Sequence, residues 1–205
     1  MKIVLTNAGK RYNRDWIFRN LNAEFKSGNA YAITGTNGSG KSTLLQALSG
    51  AISFNEGACQ WVLQEKNITA ENIYQYNSIC APYLEVVEEM TLSEFFQFHS
   101  KFKPLIDHIS VKDIIEETGL HLAGQKKINQ FSSGMKQRVK LAQCILSDCP
   151  VVLLDEPCTN LDAPGITQYR YLINKYCKNR LVIVSSNDAV EYDFCNHIID
   201  IQQYK

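Results

Sequence analysis

The chain has 205 residues, enough for one α/β domain with an inserted subdomain and too few for two independent domains. Hydrophobic residues make up 45% and charged residues 20%, ordinary globular usage, and 21 basic residues balance 21 acidic ones, so neither a nucleic acid nor an anionic membrane surface is an expected partner. No run of about 18 apolar residues occurs, and Met1–Asn7 turns polar too early for a secretory leader, so the expected location is the cytoplasm. The cysteines at positions 59, 80, 144, 149, 158, 177 and 195 lack CxxC spacing and read as thiols in a reducing compartment.

In chain order, Ile3–Leu5 and Ala23–Phe25 predict short strands of an antiparallel layer, separated by the polar, turn-rich stretch Asn7–Arg14. Ala30–Thr34 is a mostly apolar strand that runs into a glycine-rich turn. A helix follows, with Leu44, Leu45 and Leu48 on one face and Gly50 as its stop. Residues 51 to 83 carry further strand-like pieces around the turn Asn55-Glu56-Gly57, including Trp61–Leu63 and Ile79–Ala81. Thr91-Leu92-Ser93-Glu94 has capping-box spacing before Phe95-Phe96-Gln97-Phe98, and Lys112–Thr118 predicts a second helix closed by Gly119. A third begins near Ser133, with Met135, Val139, Ala142 and Leu146 on one face. Val151–Leu154 and Leu181–Val184 are apolar at every position, the pattern of strands buried on both faces of a parallel sheet. Strands at both ends with helices between them predict an α/β core carrying a helical insertion at roughly residues 84 to 148.

Gly35-Thr36-Asn37-Gly38-Ser39-Gly40-Lys41-Ser42 matches GxxxxGK[ST] and stands between a strand and a helix, where the motif belongs. Its glycines let backbone N–H groups wrap a phosphate, the start of the helix at Lys41, Ser42 and Thr43 adds its positive dipole end, Lys41 supplies a charge, and Ser42 can coordinate Mg²⁺. A chance match in a chain of this length is on the order of one in a hundred before that context is counted. Downstream, Asp155-Glu156 ends a buried strand at its carboxyl edge, where open α/β sheets bind ligands. Asp155 suits magnesium, and Glu156 suits orienting or deprotonating an attacking water.

Between these motifs, Phe131-Ser132-Ser133-Gly134-Met135-Lys136-Gln137-Arg138 places small residues at the start of an amphipathic helix. This stretch resembles the signature of ABC ATPases, usually written LSGGQ. The resemblance implies a P-loop NTPase (RecA-like) core with an N-terminal antiparallel β layer and an inserted helical subdomain, all 205 residues forming one ABC-type ATP-binding domain. It further implies ATP and Mg²⁺ as ligands, with Ser132, Ser133 and Gly134 reaching the γ-phosphate held by a second ATP-binding subunit, identical or not. Tyr12 matches the aromatic residue that stacks on adenine. Asn160-Leu161-Asp162 resembles the loop that crosses the dimer interface. The implied partner is an integral membrane permease of an ABC transporter, which would hold the chain at the inner face of the membrane.

Two positions depart from the family pattern. Tyr83 stands where a glutamine is usual, and Asn187 where a histidine contacts the γ-phosphate; an asparagine donates a hydrogen bond there but carries neither proton nor charge near neutral pH. These departures leave room for a nucleotide-gated interaction module with little turnover, against which Glu156 counts. A DNA-maintenance ATPase would need a long coiled coil, for which the separation of 114 positions from Lys41 to Asp155 leaves no space. A small-molecule kinase would not need Ser132-Ser133-Gly134.

Overall fold

The computed structural model describes residues 1–205, the side chain of Leu122 excepted. Two compact units emerge. The first comprises Met1–Ile79, Cys149–Glu156 and Asn179–Lys205; the second comprises Cys80–Asp148 and Pro157–Lys178.

In the first unit, β1 (Lys2–Tyr12) and β2 (Asp15–Lys26) form a long antiparallel hairpin, joined on the other side of β1 by β4 (Glu56–Leu63) and then β5 (Lys66–Ile68), in the order β2-β1-β4-β5. The stretch Asn7–Arg14, expected to be a turn, instead continues β1 to Tyr12 and reverses only at Asn13. Register shifts between Leu5 and Ala8, Ala8 and Lys10, and Lys10 and Arg11 explain how polar residues remain in the strand. Asn7 adopts the left-handed conformation that asparagine tolerates (φ 47°); its backbone N–H donates to Asn22 Oδ1 on β2 (2.9 Å) and its own Oδ1 accepts from Asn22 Nδ2 (3.1 Å), which repairs the ladder at the bulge. Gly57, opposite this bulge, has φ 76°, and a Cβ there would lie 2.2 Å from the Asn7 carbonyl oxygen, so glycine is required.

The second sheet runs β6 (Asn77–Cys80), β7 (Val151–Asp155), β8 (Leu181–Ser185), β3 (Ala30–Thr34) and β9 (His197–Asp200). β7 pairs parallel with β8, β8 with β3, and β3 with β9. Every residue of β7 and β8 is buried, as their unbroken apolar runs require. Ile3, Phe18, Phe25 and Trp61 from the antiparallel sheet share one core with Val151, Leu153, Leu181 and Ile183 from the parallel sheet. Helix α1 (Lys41–Leu48) packs Leu44, Leu45 and Leu48 into this core and stops at Ser49 before the left-handed Gly50 (φ 82°).

The second unit is helical. α2 (Leu92–His99) starts at the Thr91–Glu94 capping box, and α3 (Val111–Glu117) at a second one made by Ser110 and Asp113. α4 (Ser133–Ile145) is capped by the Ser132 side chain and buries Val139, Leu141, Ala142 and Ile145. α5 (Ala163–Tyr176), capped by Asp162, packs on α4 and buries Tyr169, Leu172 and Ile173. Periodicity alone did not separate α5 from the loops around it; Pro164 and Gly165 weaken the helical signal at its start, where proline is tolerated in the first turn. The short α6 (Ala189–Tyr192), after β8, belongs to the first unit. No helix among the described residues is long and apolar enough to cross a membrane.

Candidate functional site

Three neighbouring strands of the parallel sheet, β7, β8 and β3, end on one edge, and their following loops carry the polar residues singled out by sequence. β3 leads into the glycine-rich loop, where Gly35, Gly38 and Gly40 adopt φ 143°, 75° and 106°. A Cβ on Gly40 would lie 2.3 Å from Ile17 Cγ2, and one on Gly35 would lie 2.7 Å from Ser39 Oγ. Bare backbone is therefore needed at both points for the loop to close against β2 and against itself. The buried Lys41 ammonium donates to the carbonyls of Gly35 (2.9 Å) and Thr36 (3.3 Å), spanning the loop from inside. Ser39 Oγ is buried and makes no hydrogen bond among the described residues.

Ser42 Oγ donates to Asp155 Oδ1 at 3.0 Å, which ties the first turn of α1 to the end of β7. Asp155 is 2% exposed. Burial pushes its carboxyl above the ordinary carboxylate range, and the neighbouring Glu156 charge adds to this, against the hydroxyls of Ser185 and Ser42 and the Lys41 ammonium. Glu156 sits in the left-handed region (φ 44°), uncommon for a residue with a side chain, and its N–H donates to the Ser185 carbonyl at 2.9 Å. Glu156 lines a cavity of about 210 Å³ with Asn37, Gly38, Gly40, Lys41, Ser42 and Thr43. So the cation, the Ser42 hydroxyl and the Glu156 carboxylate share one cavity, and Asp155 is tied to it through Ser42.

Ile17 of β2 also lines this cavity, a residue that sequence reasoning missed because nothing distinguishes it from the apolar residues around it. Tyr12, expected to stack on a base, is half-exposed at the end of β1 with Lys10 Nζ 5.2 Å from its ring centroid, and it is not among the residues lining the cavity. Asn187 follows β8, and its Nδ2 donates to Asn37 Oδ1 in the glycine-rich loop at 2.8 Å.

Within the second unit, Ser132 Oγ accepts from the Met135 N–H (3.3 Å), which leaves its own hydrogen available. Gly134 approaches the loop after β7 so closely that a Cβ would lie 2.8 Å from the Asn160 carbonyl oxygen. Gln137 Nε2 donates to the Pro157 carbonyl (2.7 Å), and Arg138 Nη2 pairs with Asp162 Oδ1 (2.9 Å). These contacts set Ser132, Ser133 and Gly134 beside Asn160 and Asp162 around a cavity of about 360 Å³. Neither the contacts nor Gln137 could be anticipated from spacing, since they join residues some twenty positions apart. Tyr83 is half-exposed in the turn after β6.

Fold and loop together are those of P-loop nucleotide-binding proteins. The family model for ABC transporter proteins matches residues 18–159. The ABC transporter ATP-binding protein YybJ of Bacillus subtilis (strain 168), itself uncharacterized, is 29% identical over 192 residues, 90% of this chain and 85% of that protein. The lantibiotic transport ATP-binding protein SrtF of Streptococcus pyogenes is 27% identical over 190 residues, covering 90% of this chain and 79% of its own. Among solved structures, the dimeric bacterial ABC transporter cassette MJ0796 superposes with a TM-score of 0.81 at 23% identity, covering 97% of this chain and 94% of its own. The chain belongs to the ABC transporter family, as an ATP-binding protein.

Proposed function

We propose that this chain is the ATP-hydrolysing subunit of a transporter whose membrane permease is a separate protein, held through that permease at the cytoplasmic face of the membrane. Two ATP-binding subunits, identical or not, would close on nucleotide and part after hydrolysis, and the motion would drive the permease. The observation that carries this reading is that Lys41, Ser42 and Glu156 line one cavity, with Asp155 hydrogen-bonded to Ser42. Names of relatives such as the lantibiotic transport protein SrtF support it.

Lys41 and the amides of residues 36–43 would oppose the charge of the β- and γ-phosphates. The part-buried Ser42 hydroxyl and the buried Asp155 carboxylate fit Mg²⁺, a hard cation that takes oxygen ligands and would neutralise developing phosphate charge. Glu156, on the same cavity, would hold the attacking water and draw off its proton. Tyr12 would stack on the base. Ser132, Ser133 and Gly134 would meet the γ-phosphate bound by the second subunit, with the Ser132 hydroxyl donating.

Glu156→Gln keeps the shape of the site and removes the base. Its turnover is expected to fall at least about a hundredfold, while Mg·ATP now holds a dimer on a sizing column. A variant that hydrolyses like wild type removes Glu156 from the reaction. A wild-type protein that dimerises with ATP yet releases no phosphate favours a nucleotide gate over an engine.

A further inference from the structure

Asn187 occupies the position at which the family resemblance implies a direct contact with the γ-phosphate, but its side chain reaches elsewhere. β8 and β3 are parallel neighbours in register at Ser185 and Ile33, and the Ser186 N–H donates to the Ile33 carbonyl at 3.1 Å. The loops that leave them must therefore start side by side. Beyond Ser186 the chain is fixed by two more bonds: the Asp188 N–H donates to Ser186 Oγ (2.9 Å), and Asp188 Oδ1 accepts from the Val190 N–H (3.0 Å), capping α6. With its backbone pinned on both sides, Asn187 extends its carboxamide to Asn37 Oδ1 at 2.8 Å. Asn37 lines the cavity with Gly38, Lys41 and Glu156, and Asn187 does not.

We propose that Asn187 is a positioning residue that acts through Asn37, latching the glycine-rich loop to the end of β8 in its phosphate-ready shape before nucleotide arrives. The loop needs such a brace. Glycines at 35, 38 and 40 give it many alternative conformations, and Asn37 is the position between them whose side chain is tied outside the loop. A latch of this kind lowers the entropy lost when phosphate binds, so its effect falls on affinity and leaves the hydrolytic step to Glu156. The inference rests on the reading of the cavity as the ATP site.

The test is a double-mutant cycle on the full chain with Asn187→Ala, Asn37→Ala and the pair, reading kcat and KM for Mg·ATP and hydrogen exchange of the amides at 36–40 without nucleotide. One exposed amide–amide hydrogen bond predicts that each single change raises KM roughly threefold to tenfold with kcat held, and that the pair is no worse than the weaker single variant. Loop amides should exchange faster in both singles. A fall in kcat at constant KM for Asn187→Ala, single effects that multiply, or loop exchange unchanged from wild type would each overturn the latch. Failure of wild type to bind Mg·ATP would instead overturn the reading of the cavity, and the exchange comparison, made without nucleotide, would still judge the latch.

Discussion

Asp155 is a single residue whose burial works against stability. It is a carboxylate at 2% exposure, and burial holds its pKa above the ordinary carboxylate value. A carboxyl that binds its proton more tightly folded than unfolded favours the fold below its unfolded pKa, and that contribution is lost as pH rises through the folded pKa. Above that point the nucleotide-free protein carries a buried charge met only in part by Ser42, Ser185 and Lys41. Asp155→Asn removes this charge. It is expected to raise the Tm of nucleotide-free protein at neutral pH by about 2–4 °C, the shift that roughly 1 kcal/mol produces at this chain length, and to abolish Mg²⁺-dependent turnover. Scanning calorimetry with a phosphate-release assay checks both; a variant less stable than wild type would mean that the Ser42 hydrogen bond outweighs the desolvation.

Among the elements, α2 is joined to α4 by a polar chain inside an apolar contact. Gln143 Nε2 donates to His99 Nδ1 (3.1 Å), so the ring proton lies on Nε2 and donates to Ser147 Oγ (2.9 Å), which in turn donates to the Gln143 carbonyl (2.6 Å). Burial, helped by the Lys103 charge, pushes the imidazole down to about 4. A histidine with a depressed pKa stabilises the fold above its unfolded value, near 6.5, and that contribution drains away as pH falls toward 4. Urea denaturation of wild type should therefore shift to lower midpoints between pH 6.5 and 4 more steeply than that of His99→Gln, which keeps polar partners but cannot take up the proton. Parallel midpoints in the two proteins would show that His99 is not the sensor.

At the scale of the whole molecule, a ligand that binds only the folded chain must raise its melting temperature by mass action. Mg·ATP at about 100 times Kd adds roughly 2.7 kcal/mol, which corresponds to about 5–10 °C in a chain of this length. Lys41→Ala removes the buried cation of the cradle, and its carbonyl partners Gly35 and Thr36 can turn to water, so the nucleotide-free Tm should move little while the ATP-induced rise disappears. A retained rise in differential scanning fluorimetry would place the nucleotide somewhere other than this loop.

The sequence by itself determined which donors, acceptors and charges stand at this edge of the sheet, because those signals are local. A phosphate loop is eight consecutive residues between a strand and a helix, Asp155-Glu156 ends an unbroken apolar strand, and the capping box at Thr91 declares itself within four positions. It also placed β3, β7, β8, α1 and α4 close to their observed positions, since each carries an uninterrupted period or apolar run. Tertiary structure decided what depends on partners distant along the chain. β1 runs on to Tyr12 because Asn22 and Gly57 accommodate the bulge at Asn7, and no window around Asn7 contains either residue. Ile17 enters the cavity because β2 lies against Gly40, and Gly134 must be glycine because the carbonyl of Asn160 comes against it. The partner of Asn187 is set by the parallel pairing of β8 with β3, which joins residues 150 positions apart. Residue identity supplies donors, acceptors and charges, but a hydrogen bond needs a direction and a distance, and only the packed sheet fixes those.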